Sequence, residues 1–142
     1  MQINQTAIEV RYQETDQMGV VYHANYLVWF EIGRTKYIEQ LGFKYDQLEK
    51  DGFLSPVIDA QITYKFPVKY GDEIFVKTWL ADYDKIRATY TYEIVDQEGK
   101  VYVTGRTEHV VVKKDNFRPV LLRKAHPAWH EAYMKEVEKG RI

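Results

Sequence analysis

The residues best suited to chemistry are concentrated between positions 12 and 34. The segment reads Tyr-Gln-Glu-Thr-Asp-Gln-Met-Gly-Val-Val-Tyr-His-Ala-Asn-Tyr-Leu-Val-Trp-Phe-Glu-Ile-Gly-Arg. It places carboxylates, a histidine, an amide and a guanidinium beside strongly apolar side chains. Carboxylates and histidines are the usual proton-transfer groups of active sites, and loops on a rigid scaffold often carry them. The candidates are Glu14, Asp16, His23, Asn25, Glu31 and Arg34.

Several other kinds of site are excluded or disfavoured by the residues present. The chain has no cysteine, which excludes disulfides, thiolate metal sites and cysteine nucleophiles. Its single serine, Ser55, is followed by Pro56 and lacks the small flanking residues of a nucleophile elbow. His126 and His130 have a spacing that suits a metal ligand pair. No acidic residue stands between them where a zinc-protease helix needs one, so we expect no metal there.

The length and the net charge of the chain limit its number of domains and its classes of partner. A chain of 142 residues favours one domain spanning 1–142, and the formal net charge of −1 lacks the basic footprint of a nucleic-acid binder. No apolar run approaches the roughly 20 residues of a membrane span. The N-terminus shows no basic and apolar signal segment. We therefore expect a cytoplasmic protein.

The elements that must position the candidate residues can be predicted from hydrophobic spacing. Apolar residues recur at three- and four-residue steps from Leu27 to Leu41, which predicts a buried helix that ends before Gly42. Pro127 suits the first turn of a terminal helix, and a short helical turn is possible around 45–50. Strands are predicted at 6–13, 60–69, 73–83, 87–95 and 100–113.

The strand pattern favours an α+β fold with an antiparallel sheet wrapped around the central helix. In the 60–69 segment, the alternation predicts that Ile62, Tyr64, Phe66 and Val68 face the core. Pro67 suggests a sheet edge or a bulge. Four consecutive strands linked as hairpins argue against a parallel, doubly wound sheet.

The run Tyr12-x-x-Thr15-Asp16-x-x-Gly19-Val20-Val21-Tyr22-His23-x-x-Tyr26 resembles the signature of hot-dog-fold acyl-CoA thioesterases. The most similar group is the 4-hydroxybenzoyl-CoA thioesterase family. The resemblance covers about residues 5–120 and includes the order of elements, with a five-stranded sheet around a central helix. It implies an enzyme that hydrolyses an acyl-CoA to a free acid and CoA, without a metal or redox cofactor.

The resemblance makes Asp16 the catalytic carboxylate. Asp16 would attack the thioester carbonyl or activate a water molecule as a general base, and the sequence leaves both roles open. Without the resemblance, an aspartate before a loop and a helix is more commonly a turn former. Backbone N–H groups at the helix start, near His23 and Ala24, would stabilise the oxyanion. In the family, the residue matching His23 supplies that N–H.

The remaining predicted contacts concern the two ends of the substrate. Val20, Tyr22 and Tyr26 are predicted to contact the acyl group, and Asn25 either caps the helix or fixes the loop. Lys85 and Arg87 are predicted to hold the CoA phosphates. Glu31 and Arg34 have the spacing of an ion pair on one helix face.

Two other functional classes remain open at this stage. One is a hot-dog acyl-carrier-protein thioesterase or hydratase, and the other is a non-catalytic acyl-CoA-binding subunit. Relatives assemble their sites from two subunits, so we expect a homodimer or homotetramer.

Overall fold

The computed structural model describes residues 1–140 of the chain. Five strands form one antiparallel sheet; they are β1 (Asn4–Ile8), β3 (Val57–Tyr64), β4 (Ile74–Tyr83), β5 (Arg87–Asp96) and β6 (Val101–Val110). Their order across the sheet is β1-β4-β5-β6-β3. Two short strands, β2 (Phe53–Leu54) and β7 (Val112–Lys113), pair separately. β1 and β3 are therefore the two edges of the main sheet.

The long helix α1 (Asn25–Gln40) crosses the sheet and packs against β1, β4 and β5. The ring of Phe30 stacks on that of Tyr92 in β5, with the centroids 4.4 Å apart. The other helices are α2 (Tyr45–Lys50), α3 (Leu122–Ala125) and α4 (Pro127–Gly140), and α4 packs on β4. No helix of residues 1–140 is both long enough and apolar enough to cross a membrane.

Local sequence signals account for most of these elements. Alternate residues of β4 are buried, namely Ile74, Val76, Thr78 and Leu80, as expected for a strand with one face on the core. Gly42 follows α1 with φ +101°, a conformation that glycine adopts without a steric penalty. α4 begins at Pro127, whose missing N–H costs nothing in the first helical turn. The α+β architecture, the central helix, the 45–50 turn and the terminal helix are confirmed.

Three predicted strand boundaries are wrong. The first strand ends at Ile8, and Tyr12–Glu14 form a 3-10 turn instead of its continuation. The predicted last strand is divided into β6 and β7 at Val111. β3 ends at Tyr64, so Pro67 lies in the following loop. Alternation alone does not reveal where the hydrogen-bond ladder stops.

The predicted burial of the 60–69 segment is also largely wrong. Val68 is fully buried, but Tyr64 and Phe66 are about half exposed, at 50% and 48%, and Ile62 is only partly buried. α1 covers the β1–β4–β5 side of the sheet. The inward face of β3 lies largely beyond these contacts and meets α1 at Tyr64, whose ring is 5.7 Å from that of Tyr26.

Candidate active site

The loop from β1 to α1 folds into a tight turn with Asp16 at its start. The Asp16 N–H donates to the carbonyl of Val20 at 2.9 Å, and the Gly19 N–H donates to the carbonyl of Asp16 at 3.0 Å. The Asp16 Oδ1 accepts from the Met18 N–H at 2.8 Å. Asp16 is thus the turn former that the sequence also allowed. Its carboxylate remains partly exposed, with the turn fixing its position.

A buried carboxylate, Glu14, anchors this loop to α1. Glu14 is 3% exposed, and its carboxylate accepts from the Trp29 indole N–H at 2.9 Å and from the Arg11 backbone N–H at 2.8 Å. Its carbonyl accepts from the Asn25 side-chain amide and from the Tyr22 N–H, both at 2.8 Å. These bonds hold the Asp16 turn rigidly beside the start of α1.

Glu14 is one of the polar residues of the 12–34 segment for which the sequence predicts no specific role. The signal that was available is the three-residue spacing from Arg11 to Glu14, which resembles a capping box because a side-chain carboxylate accepts the backbone N–H three residues earlier. The bond to Trp29 could not be anticipated from spacing.

The start of α1 presents unpaired donors beside this turn. Within residues 1–140, neither the His23 N–H nor the Ala24 N–H donates to a protein acceptor. Both precede Asn25, where the partial positive charge of the helix dipole is concentrated. Asn25 does not cap the helix, whose N-cap residue is Ala24. The Asn25 side chain fixes the loop, the second of the two roles predicted for it.

A shallow pocket of about 270 Å³ brings several of the predicted residues together. The pocket is walled by the Asp16 turn, the first turn of α1 and the loop after β3. The lining residues are Asp16, Met18, Val20, Val21, His23, Tyr26, Tyr64, Lys65, Phe66 and Pro67. Four of the predicted site residues, Asp16, Val20, His23 and Tyr26, therefore share one pocket.

Tyr22 and Tyr26 have different surroundings. Tyr26 is buried, its hydroxyl accepts from the Val68 N–H at 3.4 Å, and burial raises the pKa of this hydroxyl. Its ring lies 5.7 Å from that of Tyr64. Tyr22 is 47% exposed and does not line the pocket; its ring lies against that of His23 at 4.4 Å. Tyr26 therefore contributes a fixed apolar wall, whereas Tyr22 stands outside it.

One wall of the pocket is not predicted by the sequence pattern; it consists of Tyr64, Lys65, Phe66 and Pro67. The Tyr64 hydroxyl donates to the His23 carbonyl at 3.3 Å, which connects this wall to the start of α1. The alternation of residues 60–69 predicts a strand here, with an edge or a bulge at Pro67. A proline within a strand pattern was the available signal that the strand ends early.

Lys85 and Arg87 lie apart from this pocket within one chain. They flank Ile86 in the turn between β4 and β5, where the Asp84 carboxylate accepts from the N–H groups of Ile86 and Arg87 at 2.9 and 2.6 Å. These bonds, the one to Arg87 foremost, lower the pKa of Asp84. Ile86 lines a different, larger cavity, and neither basic residue lines the Asp16 pocket. The phosphate assignment stays a prediction.

Glu31 and Arg34 do not form the ion pair that their spacing allowed. The Arg34 Nη1 donates instead to the Tyr92 hydroxyl at 3.1 Å. Among the ion pairs of residues 1–140, none joins these two side chains. A neighbouring strand offers Arg34 a buried acceptor, whereas Glu31 remains exposed to water.

Comparison with known proteins gives the affiliation of the chain. The thioesterase-like superfamily profile matches residues 10–130. A Bacillus subtilis (strain 168) protein, YneP, provisionally named an acyl-CoA thioesterase, is 50% identical over 135 residues, or 95% of this chain and 98% of YneP. The 1,4-dihydroxy-2-naphthoyl-CoA hydrolase of Thermosynechococcus vestitus (strain NIES-2133 / IAM M-273 / BP-1) is 27% identical over 128 residues, covering 89% of this chain and 88% of the hydrolase.

A solved structure agrees with these sequence relatives. The DHNA-CoA thioesterase from Staphylococcus aureus superposes with a TM-score of 0.91 at 47% identity, covering 94% of this chain and 89% of that one. Fold, loop signature and profile match thus converge on one group. This chain belongs to the thioesterase-like superfamily and has its hot-dog fold.

Proposed function

We propose that this protein hydrolyses an acyl-CoA to a free carboxylic acid and CoA, with Asp16 as its catalytic carboxylate. The observation that carries the proposal is that a partly exposed carboxylate, Asp16, lines one pocket with His23, whose N–H and that of the adjacent Ala24 are unpaired at the start of a helix. Thioester hydrolysis needs a nucleophile or base and stabilisation of an oxyanion, and this arrangement supplies both. The family affiliation supports the same reaction class.

In the proposed reaction, the thioester carbonyl oxygen accepts hydrogen bonds from the His23 and Ala24 N–H groups. Asp16 either attacks the carbonyl carbon or removes a proton from an attacking water molecule. The C–S bond then breaks, and sulfur leaves as a thiolate. Where Asp16 is the nucleophile, the product of this step is a mixed anhydride, and water hydrolyses it to release the acid and restore the carboxylate. A thiol with a pKa of about 8.5 is a good leaving group, so one carboxylate suffices without a separate general acid. The net change is the addition of water across the thioester, and no cofactor takes part.

The proposed acyl site is the apolar part of the pocket, between Val20 and the ring of Tyr26. One relative is named a DHNA-CoA thioesterase, and another is named a 1,4-dihydroxy-2-naphthoyl-CoA hydrolase. An aromatic acyl-CoA is therefore the first substrate to test, followed by straight-chain acyl-CoAs of increasing length. We place the activity in the cytoplasm, where acyl-CoAs are made and consumed.

We further propose that the active unit is a homodimer or a homotetramer. β3 is an edge strand with an unpaired hydrogen-bonding side, and its residues Val57, Ile58 and Tyr64 are 49%, 46% and 50% exposed. Exposed apolar edge strands are templates for pairing with another chain. A second copy of this chain is the proposed occupant, because a two-fold axis brings the same edge of the partner alongside.

Such pairing also gives Lys85 and Arg87 a proposed role. Two β3 edges related by a two-fold axis run antiparallel, so Val57 of one chain would lie near the partner's Tyr64. Val57 and Ile86 line the same cavity, whereas Tyr64 lines the Asp16 pocket. The β4–β5 turn of one subunit would thereby approach the partner's catalytic pocket. Its basic side chains would hold the CoA phosphates there.

The test of the catalytic proposal is Asp16→Asn, assayed by thiol release across an acyl-CoA panel. Asparagine keeps the shape and the acceptor for the Met18 N–H but removes the nucleophile and the base. We expect turnover to fall by at least about 100-fold, the lower range for loss of acid–base chemistry, with CoA binding retained. Asp115→Asn, which alters an exposed carboxylate in another loop, serves as the matched control and should leave turnover unchanged.

The competing functions give different results in this assay. Turnover of Asp16→Asn within a few-fold of the wild type would refute the catalytic assignment. Tight acyl-CoA binding without thiol release by the wild type would identify a binding subunit. Faster release from acyl-carrier-protein thioesters than from acyl-CoA would identify the other hot-dog activity.

A further inference from the structure

A second cavity, larger than the Asp16 pocket, lies between α1, α4 and the sheet. Its volume is about 300 Å³, roughly twice that of the ~150 Å³ apolar cavity known to take up benzene. Aromatic rings form much of its wall, including Tyr83, Tyr90, Trp129 and Tyr133. Ile86, which also lines the cavity, is exposed to solvent. We call this space the inner cavity.

A chain of hydrogen bonds runs from Arg34, in the wall of this cavity, to the backbone of Ser55. The Arg34 Nη1 donates to the Tyr92 hydroxyl at 3.1 Å, and that hydroxyl lies 2.6 Å from the Thr107 Oγ1. The Thr107 Oγ1 lies 2.9 Å from the His109 Nε2, and the His109 Nδ1 lies 3.2 Å from the Ser55 carbonyl oxygen.

The directions of these bonds follow from their two ends. The Ser55 carbonyl can only accept, so the proton of neutral His109 sits on Nδ1 and its Nε2 is an acceptor. Thr107 then donates to His109, and Tyr92 donates to Thr107. The oxygen of Tyr92 remains available to accept from Arg34. Burial, and secondly the positive charge of Arg34, lower the pKa of His109 to about 4, so the imidazole is neutral at pH 7.

This series of hydrogen bonds positions the Arg34 guanidinium without neutralising its charge. The other hydrogen-bonded groups in the series are all uncharged. Glu31 is the other charged residue in the described lining of the cavity, and it makes no ion pair with Arg34. A guanidinium has five N–H donors, and the Tyr92 hydroxyl uses one. Arg34 therefore presents fixed, unneutralised donors in the wall of a cavity that is otherwise largely aromatic and apolar.

We propose that the inner cavity binds a small amphipathic acid, with its apolar body among the aromatic rings and its carboxylate on Arg34. A carboxylate matches the planar fork of a guanidinium, and such charge-assisted bonds are the strong ones. The aromatic walls favour a ring or a short chain. The inference goes beyond the proposed hydrolysis, because it requires no reaction at Asp16.

Two sources can supply this chemistry. One is a free acid, and the other is the far end of an acyl group whose thioester lies elsewhere. Ala88→Leu, which adds bulk within the inner cavity, separates them. If the free acid is the ligand, this variant loses binding of the acid while hydrolysis of acyl-CoAs is kept. If the acyl end is the ligand, hydrolysis of bulky acyl-CoAs falls as well, while that of acetyl-CoA is kept.

The experiment is calorimetric titration of the whole protein with 2-naphthoate and with its neutral analogue 2-naphthamide. We expect the acid to bind at least about tenfold more tightly than the amide, because a hydrogen bond between two charged groups is stronger than one to a neutral amide. Arg34→Gln should remove this preference. Arg106→Gln, which alters an exposed arginine on β6, is the matched control and should keep it.

Two further variants keep the test decisive if Arg34→Gln folds poorly. Ala88→Leu should weaken 2-naphthoate binding, whereas His23→Ala, which alters the Asp16 pocket, should not. The opposite result would place the acid in the Asp16 pocket and overturn the inference. The inference would also be overturned if 2-naphthoate did not bind to the wild type, or if the acid and the amide bound with equal affinity.

Discussion

At the scale of single residues, His109 links the stability of the fold to pH. It is 1% exposed, and its folded pKa of about 4 lies below its ordinary value of 6.5. Between pH 6.5 and about 4, the His109 imidazole is protonated in the unfolded chain but stays neutral in the folded one. His109 thus contributes stability that is complete above pH 6.5 and is lost as the pH falls towards 4, by about 3 kcal/mol in all.

Urea unfolding between pH 7.5 and 4.5 measures this loss. We expect His109→Gln, which cannot titrate, to lose clearly less stability over that range than the wild type. His23→Gln is the matched control, because His23 is exposed, and it should behave as the wild type does. Parallel pH profiles for His109→Gln and the wild type would contradict the prediction.

At the scale of elements, the approach of α1 to the sheet depends on Gly33. A Cβ at this position would collide with the Thr78 Oγ1 and would lie 3.0 Å from both methyl groups of Val76. Replacing glycine by alanine inside a helix ordinarily stabilises by ~1 kcal/mol. Here we expect Gly33→Ala to destabilise by about 1–3 kcal/mol, because α1 must move away from β4.

Chemical denaturation measures this change, and Gly140→Ala is its matched control. Gly140 is the last residue of α4, and among residues 1–140 a Cβ there would meet only the Met1 Sδ, at 3.5 Å, an ordinary contact distance. We expect Gly140→Ala to leave the free energy of unfolding nearly unchanged. A stabilising Gly33→Ala would mean that the contact between α1 and β4 is looser than described.

At the scale of the whole molecule, the exposed β3 edge predicts self-association. Light scattering at micromolar concentration should give two or four times the chain mass of 16.9 kDa. Ile58→Lys places a charge on the β3 edge and should shift the mass towards that of one chain. Ile3→Lys alters a similarly exposed isoleucine beside β1, the opposite edge, and should leave the mass unchanged. A wild-type mass of one chain would refute the assembly.

Much of this molecule follows from local sequence patterns. The spacing from Leu27 to Leu41 predicted α1, and Gly42 and Pro127 marked helix ends, because helical periodicity and backbone preferences act within a few residues. Asp16 and His23 share a pocket for a similar reason, since only one tight turn separates them. A chain of this length and pattern therefore determines its central helix, its hairpins and the centre of its candidate site.

Other features were decided only by the tertiary structure. Alternation in residues 60–69 indicated two faces of a strand, but which face is covered depends on where α1 lies, and Tyr64 and Phe66 remain half exposed. Glu14 reaches Trp29, and Arg34 is tied through β5 and β6 to His109, 75 positions later in the chain. Such partners are distant in sequence and meet only when the sheet closes around the helix. Sequence spacing could therefore predict the Asp16 turn, whereas the inner cavity exists only in the folded molecule.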